Sequence, residues 1–291
     1  MKSIAPSINY HLTKSCNMRC KFCFATFNDL GFVKHDVNQS IRLIESFAKA
    51  GFEKLTFAGG EPTLVKELPQ LLKVAKQNGL VTTVVTNALK LSQPEVFDGI
   101  AANSDWIALS IDSVNVESNL QSGRALVGRT ALTDEYYLDI IEKIKLSGIR
   151  LKINTVVSSY NHTENLTDFI LKAAPDRWKI LQAIAVEGQN SGNHFEISEK
   201  QFNEFTARHS KTLSNLAIVP ESEELIRGSY IMVSPEGRFF DSSKGAHTYS
   251  DKILEVGVSK ALSQVHFDLN KFQQRGGIYD WNNVKSMNKA S

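Results

Sequence analysis

Short β-branched apolar runs alternate with amphipathic stretches from residue 8 to residue 186, and no other feature restricts the fold as strongly. Residues 8–13, 54–58, 81–86, 106–111, 150–157 and 178–186 read as strands, and 38–50, 64–78, 94–103, 134–147 and 165–174 as helices between them. Three of the helical stretches stop at a glycine: Gly51, Gly79 and Gly148. A helix between two strands returns the chain to the same end of the sheet, so strands connected this way run parallel with right-handed crossovers. The rhythm predicts an α/β fold, a partial (βα)6 TIM-like barrel over residues 1–187; an open doubly wound sheet is the alternative. In a barrel the reacting groups gather at the C-terminal strand ends. Gly59, Gly60, Asn87, Ser110 and Asn154 all fall at or near such ends.

The rhythm changes after Val186. Residues 187–197 form a polar, glycine-containing loop. Residues 198–210 read as a helix with a capping box, Ser198 followed three residues later by Gln201. Short strands are expected at 216–219, 230–233 and 238–240. Two amphipathic pieces and Arg275-Gly276-Gly277 follow, and the last ten residues are polar and expected to fray. Residues 188–291 are expected as an α+β extension that packs on the barrel and closes the active site within one structural unit.

All three cysteines of the chain lie within its first 23 residues. Their odd number and crowding argue against a disulfide framework and for a reducing, cytoplasmic setting. The N-terminal residues lack the apolar core of a signal peptide, and no stretch approaches the roughly 20 apolar residues that span a bilayer. A net charge of only +2 gives no global field for nucleic acid. A protein without membrane or direct nucleic-acid partners, and monomeric, is the expectation.

Cys16, Cys20 and Cys23 have the spacing C-x3-C-x2-C, which three cysteines scattered at random would adopt in roughly one of ten thousand arrangements. Buried structural thiols are one reading. Zinc is another, but structural zinc takes four protein ligands, so His11 or His35 would have to complete the site. A four-iron cubane also prefers four thiolates. Three leave one iron without a protein ligand, open to the amine and carboxylate of a small molecule. S-adenosylmethionine carries both on its methionine end, and an electron from the cluster can cleave its sulfonium bond to release a 5′-deoxyadenosyl radical. Gly59-Gly60-Glu61-Pro62 supports this reading. It follows a strand one βα unit after the cysteines, where two glycines let backbone carbonyls approach a ligand ammonium.

With these residues in view, the chain resembles the radical S-adenosylmethionine superfamily, and within it the viperin-like enzymes. The likeness covers nearly the whole chain. It rests on Asn9-Tyr10-His11-Leu12-Thr13, Leu151-Lys152-Ile153-Asn154, Arg177-Trp178-Lys179, Val219-Pro220-Glu221-Ser222, Ser229-Tyr230, Ile253-Leu254-Glu255-Val256-Gly257-Val258 and Arg275-Gly276-Gly277. The resemblance implies a [4Fe-4S] cluster, S-adenosylmethionine, and dehydration of a ribonucleoside triphosphate to its 3′-deoxy-3′,4′-didehydro form, a chain terminator in antiviral defence. It also implies a flavodoxin- or ferredoxin-type electron donor. Animal members carry an N-terminal amphipathic membrane helix, which this sequence does not show.

The resemblance assigns residues one by one. Gly59, Gly60 and Glu61 are expected to meet the amine of S-adenosylmethionine, Ser110 and Arg124 its carboxylate or ribose, Asn87 its adenosyl part and Phe22 its adenine. Lys54, Lys152, Arg177, Lys179, Lys244 and Arg275 match the family's basic positions, and a triphosphate needs fixed cations of this kind. Asn9 and His11 share one face of the first strand and, with Asn154, are expected to position substrate. Tyr230 is expected to donate a hydrogen bond or relay a radical. Base choice is expected to lie in residues 187–196 and the tail. Two other readings stay open: another radical S-adenosylmethionine enzyme acting on a peptide or cofactor, and a non-enzymatic iron–sulfur binding protein.

Overall fold

A computed structural model describes residues 6–127, 130–213 and 215–281; the polar tail that was expected to fray lies outside the described residues. Seven parallel strands run in chain order: β1 (Ser7–His11), β2 (Lys54–Ala58), β3 (Val81–Thr86), β4 (Trp106–Ser110), β5 (Arg150–Val157), β6 (Arg177–Gln182) and β7 (Ile218–Glu221). On the far side of β1 lie β8 (Met232–Val233), parallel to it, and the antiparallel β9 (Arg238–Asp241) and β10 (Thr248–Lys252). The sheet order is β10-β9-β8-β1-β2-β3-β4-β5-β6-β7. The sheet is curled, so that side chains of β1 and β6 line the same cavity.

The helices that follow β1 to β6 are α1 (Val37–Lys49), α2 (Leu68–Gln77), α3 (Pro94–Ala101), the short α4 (Val116–Ser122) with α5 (Asp134–Leu146), α6 (Thr167–Ala173) and α7 (Glu199–Ser210). Their starts are set by side-chain caps: Asp36 accepts from the backbone of Asn38 and Gln39, Thr133 from Tyr136, and Ser198 and Gln201 close the expected capping box. Leu43, Ile44, Phe47, Leu71, Leu72, Ile140 and Ile144 face the sheet. They meet the outward residues of the strands, such as Leu55, Phe57, Ile107, Leu151, Ile153, Trp178 and Ile180, all inaccessible to solvent. This layer is the core, and its burial holds the sheet in its curl. Among the described residues no helix is long and apolar enough to cross a membrane.

Expected and observed strands agree closely for β2, β3 and β5. The sixth was expected to reach Val186 but ends at Gln182, where the chain leaves the sheet for a loop. Apolar residues 183–186 mimic a strand because they pack under the cysteine loop: Ala183 joins Phe22 and Phe195 in a small cluster. The C-terminal strands do not build a second layer. They extend the one sheet at both of its edges, and this brings Tyr230 and the segment after residue 274 to the cavity.

Candidate active site

Because side chains alternate along a strand, each inner strand contributes every second residue to a cavity of about 860 Å³. Ser7, Asn9 and His11 come from β1; Lys54, Thr56 and Ala58 from β2; Thr83 and Val85 from β3; Ala108 and Ser110 from β4. From β5 come Lys152, Asn154 and Val156, and from β6 Arg177, Lys179 and Leu181. The volume lies within the usual range for small-molecule sites.

The cysteine loop covers the C-terminal end of the strands, and all three cysteines line the cavity. The loop is fixed by backbone bonds from Arg19 to Gly123 (3.2 Å), Lys21 to Ser122 (2.8 Å) and Cys23 to Cys20 (3.1 Å). Gly59-Gly60 is joined to it directly. The Gly60 amide donates to the Thr13 carbonyl at 2.6 Å and the Glu61 amide to that of Ser15 at 2.8 Å. A Cβ on Gly60 would stand 2.2 Å from the Ser15 carbonyl oxygen. Gly60→Ala must therefore push the glycine turn and the cysteine loop apart. Its expected result is a folded protein with S-adenosylmethionine affinity reduced about tenfold or more, read by anaerobic equilibrium binding.

The donor set fits an iron–sulfur cluster. Burial pushes all three thiols up, Cys20 to about 12, and the three are near enough to one another that each proton lost makes the next harder to lose. Such thiols ionise against a bound cation, not against water. The sequence holds no fourth cysteine. Among the described residues no three His, Cys, Asp or Glu side chains form a single-ion site.

Several expected S-adenosylmethionine contacts have a second partner. The Glu61 carboxylate is held within the protein: one oxygen accepts from the Thr63 amide, the Thr63 hydroxyl and the Thr86 hydroxyl, the other from the Asn87 amide. These bonds fix the turn, and Glu61 lines the cavity beside Gly59 and Gly60. Asn87 donates to Asn17 Oδ1 at 2.7 Å and so braces the cysteine loop. Arg124 pairs with the buried Asp112 at 2.6 Å while its guanidinium lies 5.4 Å from the Phe22 ring centroid. Ser110 ends β4 and stands in register with Asn154 of β5.

Nine lysines and arginines line the cavity, and five of them come together from β2, β5, β6 and the segment after residue 274: Lys54, Lys152, Arg177, Lys179 and Arg275. Lys54, at the start of β2, is only 4% exposed and Lys152 6%. Both ammonium groups donate to the Tyr279 hydroxyl, Lys152 at 2.8 Å and Lys54 through a shorter contact. The Arg177 guanidinium lies 4.2 Å from the Tyr279 ring centroid. Burial, then mutual repulsion, depresses the lysines: Lys54 to about 7, Lys179 to about 8, and Lys152 well below its ordinary value. Lys244 is corrected. It is exposed, on the turn after β9, and does not line the cavity.

Polar atoms without a protein partner mark where a ligand would be held. Buried His11 Nδ1, Thr83 Oγ1, Asn154 Oδ1 and Arg177 Nε are unpaired, and all four residues line the cavity. Burial lowers His11 to about 3, so its imidazole is neutral among Phe24, Phe27 and Phe240. Residues 187–196, expected with the tail to govern base choice, use much of their polarity on the cysteine loop. Asn190 donates to the Phe22 carbonyl at 2.9 Å, Asn193 to that of Lys21 at 2.8 Å, and Gln189 accepts from the Thr26 hydroxyl at 2.7 Å. Gln189 and Asn193 still reach the cavity.

Sequence reasoning missed Thr83, Tyr279 and Glu221. The alternation of β3 could have found Thr83. Glu221 lay within a quoted run without a role, and nothing local marked Tyr279.

Residues 10–170 match the family model of the radical SAM superfamily. The chain is 44% identical to an S-adenosylmethionine-dependent nucleotide dehydratase of Flammeovirga pacifica, over 96% of this chain and 97% of that one. It is 47% identical to a protein of the same name from Lacinutrix mariniflava, over 97% of this chain but 60% of that longer relative. In fold it is similar to Streptococcus suis SuiB bound to S-adenosylmethionine, with a TM-score of 0.65 and 18% identity, over 81% of this chain and 60% of that one.

Proposed function

Because the chain belongs to the radical SAM superfamily and, within it, to the S-adenosylmethionine-dependent nucleotide dehydratases, we propose that it removes water from the ribose of a ribonucleoside triphosphate to give the 3′-deoxy-3′,4′-didehydro nucleotide. The observation that supports this most directly is the joining of two sites in one cavity: a three-cysteine loop with its Gly-Gly turn at the strand ends, and a cluster of five cations, four from the strands and Arg275 from the C-terminal segment. Cys16, Cys20 and Cys23 would hold the [4Fe-4S] cluster, and the Gly59-Gly60 backbone with Arg124 and Ser110 would hold S-adenosylmethionine. When bound, these groups supply a carbon radical that abstracts hydrogen from C4′.

The chain's own residues bind and orient. Lys54, Lys152, Arg177, Lys179 and Arg275 neutralise the phosphates, which is worth most where water is excluded. Neutral His11, with Asn9 and Asn154, offers hydrogen-bonding groups to the ribose without adding charge. The C-terminal extension would act as the closing wall of the same unit through Tyr230 and Arg275. A flavodoxin- or ferredoxin-type protein would supply electrons, and the product would terminate chains made by a polymerase.

Anaerobic protein with reductant and S-adenosylmethionine is expected to form 5′-deoxyadenosine with at least one ribonucleoside triphosphate, alongside a nucleotide lighter by one water in mass spectrometry. Reconstituted protein that cleaves S-adenosylmethionine but leaves all four nucleotides unchanged would refute the dehydratase reading.

A further inference from the structure

The cationic wall is backed by a carboxylate that never touches the cavity. Glu221, the last residue of β7, is 0% exposed. One of its oxygens meets Lys179 Nζ at 2.7 Å and Arg275 at 3.5 Å, and the other accepts a short hydrogen bond from the Tyr230 hydroxyl. All three partners line the cavity; Glu221 does not. We infer that Glu221 is a positioning residue for the polyphosphate: it sets Lys179 and Arg275 as a fixed pair of cations facing the cavity and turns the Tyr230 hydroxyl away from the substrate. The inference rests on the nucleotide triphosphate reading and names a residue through which that site is built.

The two halves of the wall are built differently. Lys54 and Lys152 meet uncharged aromatic groups, the Tyr279 hydroxyl and the rings of Trp106 and Tyr279. Lys179 and Arg275 have a carboxylate behind them. Arg275 is held further by two bonds to the Ser229 carbonyl, and its guanidinium lies 3.6 Å from the Tyr230 ring centroid. The groups that face Lys179 are Glu221 from β7, Tyr230 from the segment before β8, Arg275 from the segment after the helix Leu269–Gln274 and Arg177 from its own strand. Lys54 and Lys152 act on it across the cavity. Burial lowers Lys179, and the strongest opposing influence is Glu221. Lys179 also donates to the Tyr230 oxygen at 2.5 Å, so the phenol is bonded on both sides and its hydrogen points to Glu221. Tyr230 in this arrangement does not present a hydrogen atom to the cavity. It links the carboxylate to the lysine.

The test is calorimetric titration of the full chain with inorganic tripolyphosphate across pH, beside steady-state kinetics with the nucleotide. Wild type is expected to bind tripolyphosphate with an affinity that falls as pH passes about 8. In Glu221→Gln the affinity should drop roughly tenfold, as for loss of one charge-assisted contact, and the alkaline fall should move to lower pH. KM should rise more than kcat falls. A role in folding alone would lower the melting temperature without moving the pH limb. If the glutamine variant does not fold, Glu221→Asp keeps the charge but withdraws it by one methylene. That variant should keep the wild-type pH limb and bind several-fold more weakly, and wild-type affinity in it would overturn the inference. Unchanged affinity and pH limb in Glu221→Gln would overturn this inference alone, whereas a wild type that ignores tripolyphosphate would overturn the nucleotide reading as well.

Discussion

Cys20→Ala is expected to yield a folded, colourless protein with no measurable S-adenosylmethionine cleavage. The loop should survive because its backbone is held by bonds that the thiol does not make: Arg19 and Lys21 to residues 122 and 123, and Asn190 to the Phe22 carbonyl. The Cys20 side chain is small and packs at the edge of the core, so its loss should cost about 1 kcal/mol of packing. Chemistry should suffer far more. Two thiolates do not hold a cubane, and without one the chain supplies no electron route to the sulfonium bond. Turnover should fall by more than about 10³-fold, the whole of what the cofactor provides. Iron content, visible absorbance and 5′-deoxyadenosine release together measure it. A brown, active variant would refute the assignment of Cys20 as a ligand.

Lys152→Met should separate stability from binding. Methionine keeps the apolar stem and removes an ammonium that Lys54, Lys179 and Arg177 all repel. The ligand-free variant should therefore melt at a higher temperature than wild type, while KM for the nucleoside triphosphate rises on the order of 10- to 100-fold. The pH dependence has opposite signs for the two properties. Lys54 has a folded value of about 7, against about 10.4 unfolded, so between those values the unfolded chain binds more protons. The stability cost of Lys54 is complete below pH 7 and is relieved as pH rises toward 10, and that of Lys152, held well below its ordinary value, is relieved in the same direction. Polyanion affinity runs the other way, since the phosphate needs the protonated lysines. Buried thiols and phenols titrate in the same range, so the difference between wild type and variant is the quantity to follow. Melting curves and tripolyphosphate titrations at several pH values supply it. A variant with lower thermal stability and unchanged KM would show that Lys152 is structural.

Both experiments bear on how far the primary structure can be read. The cysteine spacing was legible because a loop ligand set is local: three residues within one turn of chain determine the chemistry whatever surrounds them. The parallel sheet was legible because apolar runs and capped amphipathic stretches repeat with different periods. Lys152 and Lys179 illustrate the limit. Alternation placed each on one face of its strand, but only the curl of the sheet shows that this face encloses a cavity. Lys244 failed for the same reason, since a basic residue on a turn carries no sign of which way the turn faces.

Amino-acid order alone determined the strand–helix rhythm, the three-thiol loop and the glycine turn that follows it, because each depends on neighbours in sequence. Tertiary structure alone decided the partners of Glu221 and Tyr279. Lys179 and Glu221 are apart in sequence, and Tyr279 meets Lys54 from the other end of the chain. Coulomb and hydrogen-bond energies depend on distance in space, and these distances exist only after the C-terminal strands have joined both edges of the sheet.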